Sequence, residues 1–290
     1  HRPQPGCLTC SRVFFCYKAA RRHRSVRCLD KGVMHMTRRR QLAAALALLP
    51  LLPLLGFPTG AWANTPRVYG IVSLVADHLT VTGFETTTGS GLAQNQTEVI
   101  PLDTDELEKA VLRAGLRAVT ESKLGKAVPL LINDGALYRG QADLVSGNRV
   151  SLPASLLQTL KSQGVTHLLL ATKHRAEAQM KAHDTTLGTG RVEGLGFYVD
   201  RVTIMRTVGA GSRAPGYLAP HAYLRYSLIE LSGNKLLASR TVTASTVIGV
   251  AGSEAGADPW QLLDSAGKIK AISDLIGKDS APVLRELLAS

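Results

Sequence analysis

Cysteine is absent from the last 227 residues of the chain, since all four cysteines lie within the first 28 residues. The segment from Asn64 to Ser290 therefore cannot form an internal disulfide, use a thiol as a nucleophile or hold a metal through thiolates. A cysteine-free segment of this length must be held together by packing. It is long enough to bury a sizeable core as a single domain.

An excess of charge is also lacking once the beginning of the chain is set aside. The whole chain has 34 Lys and Arg against 22 Asp and Glu, but residues 1–63 contain 11 of the basic side chains and one of the acidic ones. The remaining residues hold 23 basic and 21 acidic side chains. This balance leaves no electrostatic footprint for DNA or RNA, so we expect no nucleic-acid partner.

No apolar run is long enough for a membrane-spanning helix. The longest, Leu42 to Leu55, has 14 residues and contains two prolines, whereas a spanning helix needs about 20 apolar residues. Three arginines, Arg38 to Arg40, precede this run, and Ala61-Trp62-Ala63 follows it. A basic start, a short apolar core and a small-x-small ending are typical of a secretory signal peptide. We therefore predict a signal peptide over residues 36–63, cleaved after Ala63.

The predicted signal peptide sets the expected location of the protein. We expect a periplasmic or secreted protein of a bacterial envelope, with no stable membrane span after cleavage. The lack of cysteine after the cut favours an envelope protein over a small disulfide-rich extracellular scaffold. The general-secretion and twin-arginine export routes both stay open. Residues 64–290 form a single exported globular α/β domain in this interpretation.

Residues 1–35 precede the predicted address and contain all the cysteines. Cys7-Leu-Thr-Cys10 resembles half of a zinc site, which Cys16, His23 or Cys28 could complete, but the spacing gives no second close pair. Export machinery reads a signal peptide at an N-terminus. We therefore expect residues 1–35 to be a disordered upstream extension of the reading frame, and we leave open whether they are translated.

The periodicity of the remaining chain predicts an α/β (α+β) fold. We expect βα units first, an antiparallel β-meander in the second half, and helices on the faces and at the C-terminus of a mixed sheet. The predicted strands are Arg67–Leu74, Leu79–Phe84, Ala127–Ile132 (buried), Val165–Ala171, Arg201–Val208, His221–Leu231 and Lys235–Val250, the last two forming a hairpin. The predicted helices begin at Asp103 or Thr104, at Pro153, at Asp258 and, as a short last helix, at Asp279 or Ser280. Glu85–Val99 is expected to be a loop or mobile flap.

This order of elements resembles, at the level of the fold, envelope assembly proteins such as the N-terminal domain of the Tol translocation protein or the curli secretion protein. The resemblance covers about 150 residues, has no matching motif and carries over no site residue. It implies a role in binding or assembly.

A polar cluster follows the predicted strand Val165–Ala171. Ligands bind outside the carboxyl ends of parallel strands, so this cluster is the best-placed candidate ligand site, and His183-Asp184 could add to it. We predict ligand binding by Lys173, His174, Arg175 and Glu177. No His-x-His or His-x-x-x-His pair supports a metal, and a solvated loop explains the cluster equally well.

Two further patterns are weaker. Gly188-Thr-Gly190 and Gly194-Leu-Gly196 precede strand-like residues rather than a helix, so they indicate turns or bulges and not a dinucleotide loop. A hydrolase or metal-dependent enzyme with a site at the strand ends is the competing hypothesis; its candidate residues are Ser73, His78, His174 and His183.

The leading expectation is therefore a non-enzymatic envelope protein that acts in binding or assembly. It requires no cofactor, and its partner is an unknown protein or small-molecule ligand. An enzyme would bring Ser or a carboxylate within hydrogen-bond reach of a histidine in one pocket, whereas a binding module would present a groove or an exposed sheet edge.

Overall fold

The computed structural model describes residues 66–84, 95–206, 213–250 and 258–290. All of them belong to one compact unit, Ala61–Ser290. The segments interpreted above as an upstream extension and a signal peptide lie outside the described residues, as does most of the predicted flap.

Within these ranges the chain forms fourteen strands, five α-helices and one short 3₁₀ helix. The strands are β1 (Arg67–Leu74), β2 (His78–Phe84), β3 (Gln96–Pro101), β4 (Gly125–Leu130), β5 (Val145–Ser146), β6 (Arg149–Val150), β7 (His167–Lys173), β8 (Arg175–Glu177), β9 (Met180–Lys181), β10 (Thr186–Leu187), β11 (Arg191–Arg206), β12 (Arg213–Glu230), β13 (Lys235–Ser245) and β14 (Ile248–Gly249). The helices are α1 (Glu106–Ser122), α2 (Gly135–Arg139), α3 (Gln141–Leu144), α4 (Ala154–Ser162) and α5 (Ser265–Ala289), and the 3₁₀ helix is Pro259–Leu262. None of the helices in this part of the chain is both long and apolar enough to cross a membrane.

Ten of the strands form one mixed, curled sheet. Its path runs β3-β2-β11-β12-β7-β1-β4, with β13 and β14 also on β12 and β8 on β11. β1 is parallel to both β4 and β7, as the alternation of strands and helices predicts. β11, β12 and β13 pair antiparallel, which is the predicted meander.

The strand registers show that β7 and β11 lie in line with each other, and that β1 and β2 do so as well. Tyr223 of β12 pairs with Gly194 of β11 and the next residue, Leu224, pairs with Lys173 of β7, while both pair with β13 on their other side. β7 and β11 therefore lie end to end along one edge of β12. β1 pairs with β7, and β2 pairs in parallel with β11, so β1 and β2 also follow each other in line, separated by Val75 to Asp77.

Alternation along the strands directs side chains to opposite faces of the sheet. Ile71 of β1 belongs to the largest core, which α1 and α5 cover, while Val72 belongs to the core beneath α2, α3 and α4. A third cluster surrounds Tyr198, Tyr217 and Tyr223, on the part of the sheet covered by the excursion between β7 and β11.

The predicted fold class is confirmed, and so is the first helix with its apolar stripe. Leu107, Val111 and Ala118 of α1 are buried, and Thr104 Oγ1 accepts a hydrogen bond from the Glu106 N–H at 3.3 Å. The predicted hairpin of β12 and β13 and the start of α4 after Pro153 are also confirmed.

Several expectations about single elements are wrong. Strand β3 begins at Gln96, within the expected loop, and β12 begins at Arg213 rather than His221. β4, which the apolar run Ala127–Ile132 predicts to be buried, ends the sheet's path and is partly exposed. β11 begins at Arg191 rather than Arg201. The helix expected from Asp258 begins as the separate 3₁₀ helix Pro259–Leu262, and the rest of it is continuous with the expected last helix as α5, with Pro282 in its interior. Its buried residues continue on both sides of the proline and pack on α1, β12 and β13, and this burial outweighs the lost backbone hydrogen bond.

Candidate functional site

The candidate site lies where the in-line strands are interrupted. Between β7 and β11 the chain leaves the sheet at His174, whose N–H donates to Tyr223 O at 2.9 Å and whose carbonyl accepts from Gly194 N–H at 3.2 Å. Gly194 has φ +66°, and a Cβ there would meet Lys173 Cγ at 3.0 Å. A glycine is therefore required for the Lys173 side chain to cross this position.

Lys173 connects the two places where in-line strands are interrupted, one between β7 and β11 and the other between β1 and β2. Its ammonium lies 2.5 Å from Asp77 Oδ1 and 3.2 Å from both ring nitrogens of His78. Asp77 Oδ2 accepts from His78 Nδ1 at 2.9 Å, so the carboxylate holds both neighbours. The Lys173 side chain is 7% exposed, whereas those of Asp77 and His78 are each 29% exposed. The Gln141 side chain accepts from the Lys173 backbone N–H at 2.7 Å and completes this end of β7.

Glu108 of α1 closes the interruption between β1 and β2 from the helix side. Glu108 is 2% exposed, and its Oε2 accepts from the Ala76 N–H at 2.9 Å. Burial raises the pKa of this carboxyl; the Ser73 hydroxyl and the Ala76 and Val75 amides oppose that shift, and Asp77 adds to it. The Ser73 and Tyr138 hydroxyls lie near this carboxyl, but neither Oε1 nor the Ser73 hydroxyl meets the full geometry of a hydrogen bond with any described residue.

Tyr138 lies on the other side of Glu108. Asp134 caps α2 by accepting from the Ala136 N–H at 2.8 Å, and the Tyr138 hydroxyl donates to Ile132 O at 3.1 Å. Burial raises the pKa of Tyr138, and the nearby Glu108 and Asp77 carboxylates raise it further.

These groups line an open cleft of about 400 Å³ at the start of α1. Its charged side chains are all acidic, and its apolar lining comes from Leu102, Leu131 and Ile132. Two of the carboxylates have lysine partners outside the lining, since Asp105 pairs with Lys109 at 2.7 Å and Asp77 pairs with Lys173. The other carboxyl groups of the lining are those of Asp103 and Glu108.

Because successive side chains alternate in direction, the four residues of the predicted ligand site lie in different surroundings. Lys173 faces Asp77 and His78, at the edge of the cleft. Burial and nearby Arg225 lower the pKa of His174, which Glu193 partly offsets, so its side chain belongs to a different environment. Arg175 and Glu177 are exposed on β8, where they pair in register with Glu193 and Arg191. Whether these four residues bind a ligand stays a prediction.

In the described part of the chain, the structure brings His78 of the hydrolase hypothesis within hydrogen-bond reach of a carboxylate, that of Asp77 at 2.9 Å, and does not add Ser73, His174 or His183 to this pair. Ser73 is buried beside Glu108, His78 contacts Asp77 and Lys173, and His183 lies between β9 and β10. No group of three or more His, Cys, Asp or Glu among the described residues is placed to hold a metal ion.

Sequence reasoning missed Glu108 and Tyr138. Glu108, Leu112, Gly115 and Val119 are all buried and recur at i, i+4, i+7 and i+11, so the apolar stripe of α1 is wider than the one predicted. An acidic residue within such a stripe was the signal available for Glu108. Tyr138 gave no comparable signal, because its place beside Glu108 depends on tertiary packing between distant parts of the chain.

No protein-family model and no curated protein sequence matches the chain. Solved structures to which it is similar include a point variant of the PelC dodecamer from Paraburkholderia phytofirmans, at 12% identity and a TM-score of 0.32 over 78% of this chain and 90% of that one. Another is a homolog of neuraminyllactose-binding hemagglutinin from Helicobacter pylori, at 9% identity and a TM-score of 0.35 over 77% and 86%. A third is lipoprotein GNA1162 from Neisseria meningitidis, at 8% identity and a TM-score of 0.27 over 78% and 100%. Similarities of this size assign neither a role nor a site to the chain.

Proposed function

We propose that this is an exported binding protein of the bacterial envelope and that its ligand site is the acidic cleft at the start of α1. The export signal read from residues 36–63 supports the location. The cleft supports binding because it combines a buried carboxyl, a half-buried tyrosine and an apolar wall in one concave surface.

The buried carboxyl of Glu108 carries this proposal. One oxygen accepts from the Ala76 amide, while the buried Oε1 has no hydrogen bond of full geometry with the described residues, although the Ser73 and Tyr138 hydroxyls lie near the carboxyl. An acceptor left in this state costs about 1–3 kcal/mol, and a ligand that donates a hydrogen bond to it recovers that free energy. The ligand should therefore carry an N–H or O–H donor.

The charges of the lining favour an amine over an alcohol. The described lining contains Asp77, Asp103, Asp105 and Glu108 and no Lys, Arg or His. Asp103 forms no ion pair with any described residue, unlike Asp77 and Asp105. An organic ammonium with a short apolar body would pair with Glu108 and Asp103 and contact Leu102 and Ile132.

The geometry favours binding over hydrolysis. Ser73, the candidate nucleophile, contacts no histidine among the described residues, and His78 is held by Asp77 and Lys173. A nucleophile needs a base within hydrogen-bond reach and access to its substrate; Ser73 has the buried Glu108 carboxyl beside it but is only 1% exposed, so a substrate does not reach it in this conformation.

Calorimetric titration of the chain from Asn64 with 1,4-diaminobutane, and with neutral 1,4-butanediol as the matched ligand, tests the proposal. We expect the diamine to bind and the diol to bind much more weakly. Glu108→Gln should weaken diamine binding roughly 10- to 100-fold, because a hydrogen bond to a charged group contributes about 1.5–3 kcal/mol. Asp143→Asn, at an exposed carboxylate outside the cleft, is the control and should bind normally.

The pH dependence gives an independent check. Since burial raises the pKa of Glu108, its ionised fraction increases as pH rises through that pKa, and diamine affinity should increase with it. The Gln variant should lack this part of the profile. No diamine binding by the wild type, or equal binding by wild type and Glu108→Gln, would refute the amine site.

A further inference from the structure

A second surface lies on the two-stranded end of β11 and β12, away from the acidic cleft. Beyond an irregularity in register after Asp200, Ile204 pairs with Pro215 and Arg206 pairs with Arg213. We call Ile204–Arg206 and Arg213–Pro215 the arginine ribbon. Nothing in the proposed amine site involves these residues.

The ribbon presents one amphipathic face. Residues directly opposite in an antiparallel pair, and residues two apart in one strand, share a face, so Ile204, Pro215, Arg206 and Arg213 lie together. All four are exposed, and Ile204, at 69%, is the most exposed large apolar side chain of the described residues. Met205 lies on the opposite face and packs against the tyrosine cluster.

The base of the ribbon is held firmly. One oxygen of the buried Asp200 carboxylate accepts from the backbone N–H groups of Val202 and Thr203 at 2.7 and 2.8 Å, and the other accepts from the Thr203 hydroxyl at 2.7 Å. These bonds fix the chain through the irregular step. The exposed face therefore has a defined direction relative to the sheet.

The charges of the ribbon lack a counterpart in the described chain. Arg201, at its base, pairs with Asp258 at 3.1 Å, but Arg206 and Arg213 form no ion pair with any described residue. Two like charges directly opposite each other in an antiparallel pair destabilise it. An anionic partner would remove this repulsion, because guanidinium groups bind phosphate oxygens with two hydrogen bonds.

We infer that the arginine ribbon docks on an anionic phospholipid surface. Phosphate headgroups match the two arginines, and the apolar region just beneath them matches Ile204 and Pro215. An acidic protein partner fits less well, because a stable protein interface buries about 800 Å² on each side and this face has only four side chains.

Vesicle co-sedimentation of the chain from Asn64 tests the inference. We expect binding to vesicles of equal parts phosphatidylglycerol and phosphatidylcholine, weakened by salt, and none to pure phosphatidylcholine. Arg206→Ser with Arg213→Ser should reduce the partition coefficient about 25-fold, at about fivefold for each basic residue near an anionic surface. Arg206→Lys with Arg213→Lys should retain most of the binding.

Matched controls separate the ribbon from general charge and exposed apolar area. Arg113→Ser with Arg149→Ser removes two exposed arginines elsewhere and should leave binding unchanged. Ile204→Ser should weaken binding roughly threefold or more, while Val99→Ser, at another exposed apolar residue, should not.

Either of two results with vesicles would overturn the inference: no binding of the wild type to the anionic vesicles, or equal losses of binding in the ribbon and control arginine variants. A third would be binding to soluble poly-glutamate that is as tight as binding to vesicles and is unaffected by Ile204→Ser. The last result would assign the ribbon to an acidic protein. None of these results depends on whether diamines bind at Glu108.

Discussion

Replacing Lys173 by Met tests whether the interruption of the sheet is fixed by an ion pair. The substitution keeps a long apolar side chain crossing Gly194 but removes the ammonium that contacts Asp77 at 2.5 Å and His78 at 3.2 Å. These two contacts join the end of β7 to the start of β2.

The expected loss of stability lies between those of a buried and a surface pair. Removing one partner of a fully buried pair costs about 3–5 kcal/mol, and exposed pairs contribute about 0–1 kcal/mol. Lys173 is almost fully buried, but Asp77 remains 29% exposed and keeps the His78 N–H at 2.9 Å. We therefore expect Lys173→Met to lower the free energy of unfolding by about 1–3 kcal/mol.

Urea unfolding of the chain from Asn64, followed by circular dichroism, measures this loss, and an unchanged m-value would show that the unfolded state is comparable. Lys126→Met, at an exposed lysine of β4, is the matched control and should stay within about 0.5 kcal/mol of the wild type. Combining Lys173→Met with Asp77→Asn should cost less than the sum of the single changes, with a coupling of about 1 kcal/mol or more. A loss no larger than the control's, or additive single changes, would refute the view that this pair fixes the interruption.

Two further predictions concern β12, which contains His221, and β11, which contains Gly196. Burial lowers the pKa of the fully buried His221 to about 4; the unfolded chain takes up this proton below about 6.5 and the folded chain does not. The free energy of unfolding should therefore fall by about 3 kcal/mol as pH drops from about 6.5 to about 4. Unfolding curves of the wild type and of His221→Leu at several pH values measure this loss, and the variant should lack it. Gly196→Ala should lower the free energy of unfolding in urea by about 3 kcal/mol or more, because the added Cβ would lie too close to the Thr80 carbonyl oxygen and displace β2. The control Gly277→Ala, in α5, should be neutral or slightly stabilising, because nothing lies within 4 Å of its added Cβ. Equal effects of the two changes would contradict this reasoning.

Local patterns in the sequence predicted the elements better than their arrangement. The strand Arg67–Leu74 has the predicted bounds, because its β-branched residues and the following turn are both local signals. The in-line continuation of β1 by β2 depends on pairing with β7 and β11, strands that lie far along the chain from both. Periodicity contains no information about such distant partners. The continuous helix α5 shows the same limit, since its burial against α1 overrode the local signal of Pro282.

The candidate site shows why strand-end reasoning found part of the polar cluster and missed the rest. The rule that ligands bind beyond the carboxyl ends of parallel strands drew attention to Lys173, at the end of β7. It could not select among Lys173 and its three neighbours, because alternation sends successive side chains to different surroundings and only the register decides which of them faces Asp77. The same interruption leaves backbone N–H groups at Val75 and Ala76 without strand partners, so a buried acceptor is needed there, and Glu108 supplies it from α1. A carboxyl placed for this structural reason retains one oxygen without a hydrogen bond of full geometry among the described residues, just beneath the cleft that Glu108 lines. The break in the sheet therefore creates both the requirement for Glu108 and the binding capacity proposed for it.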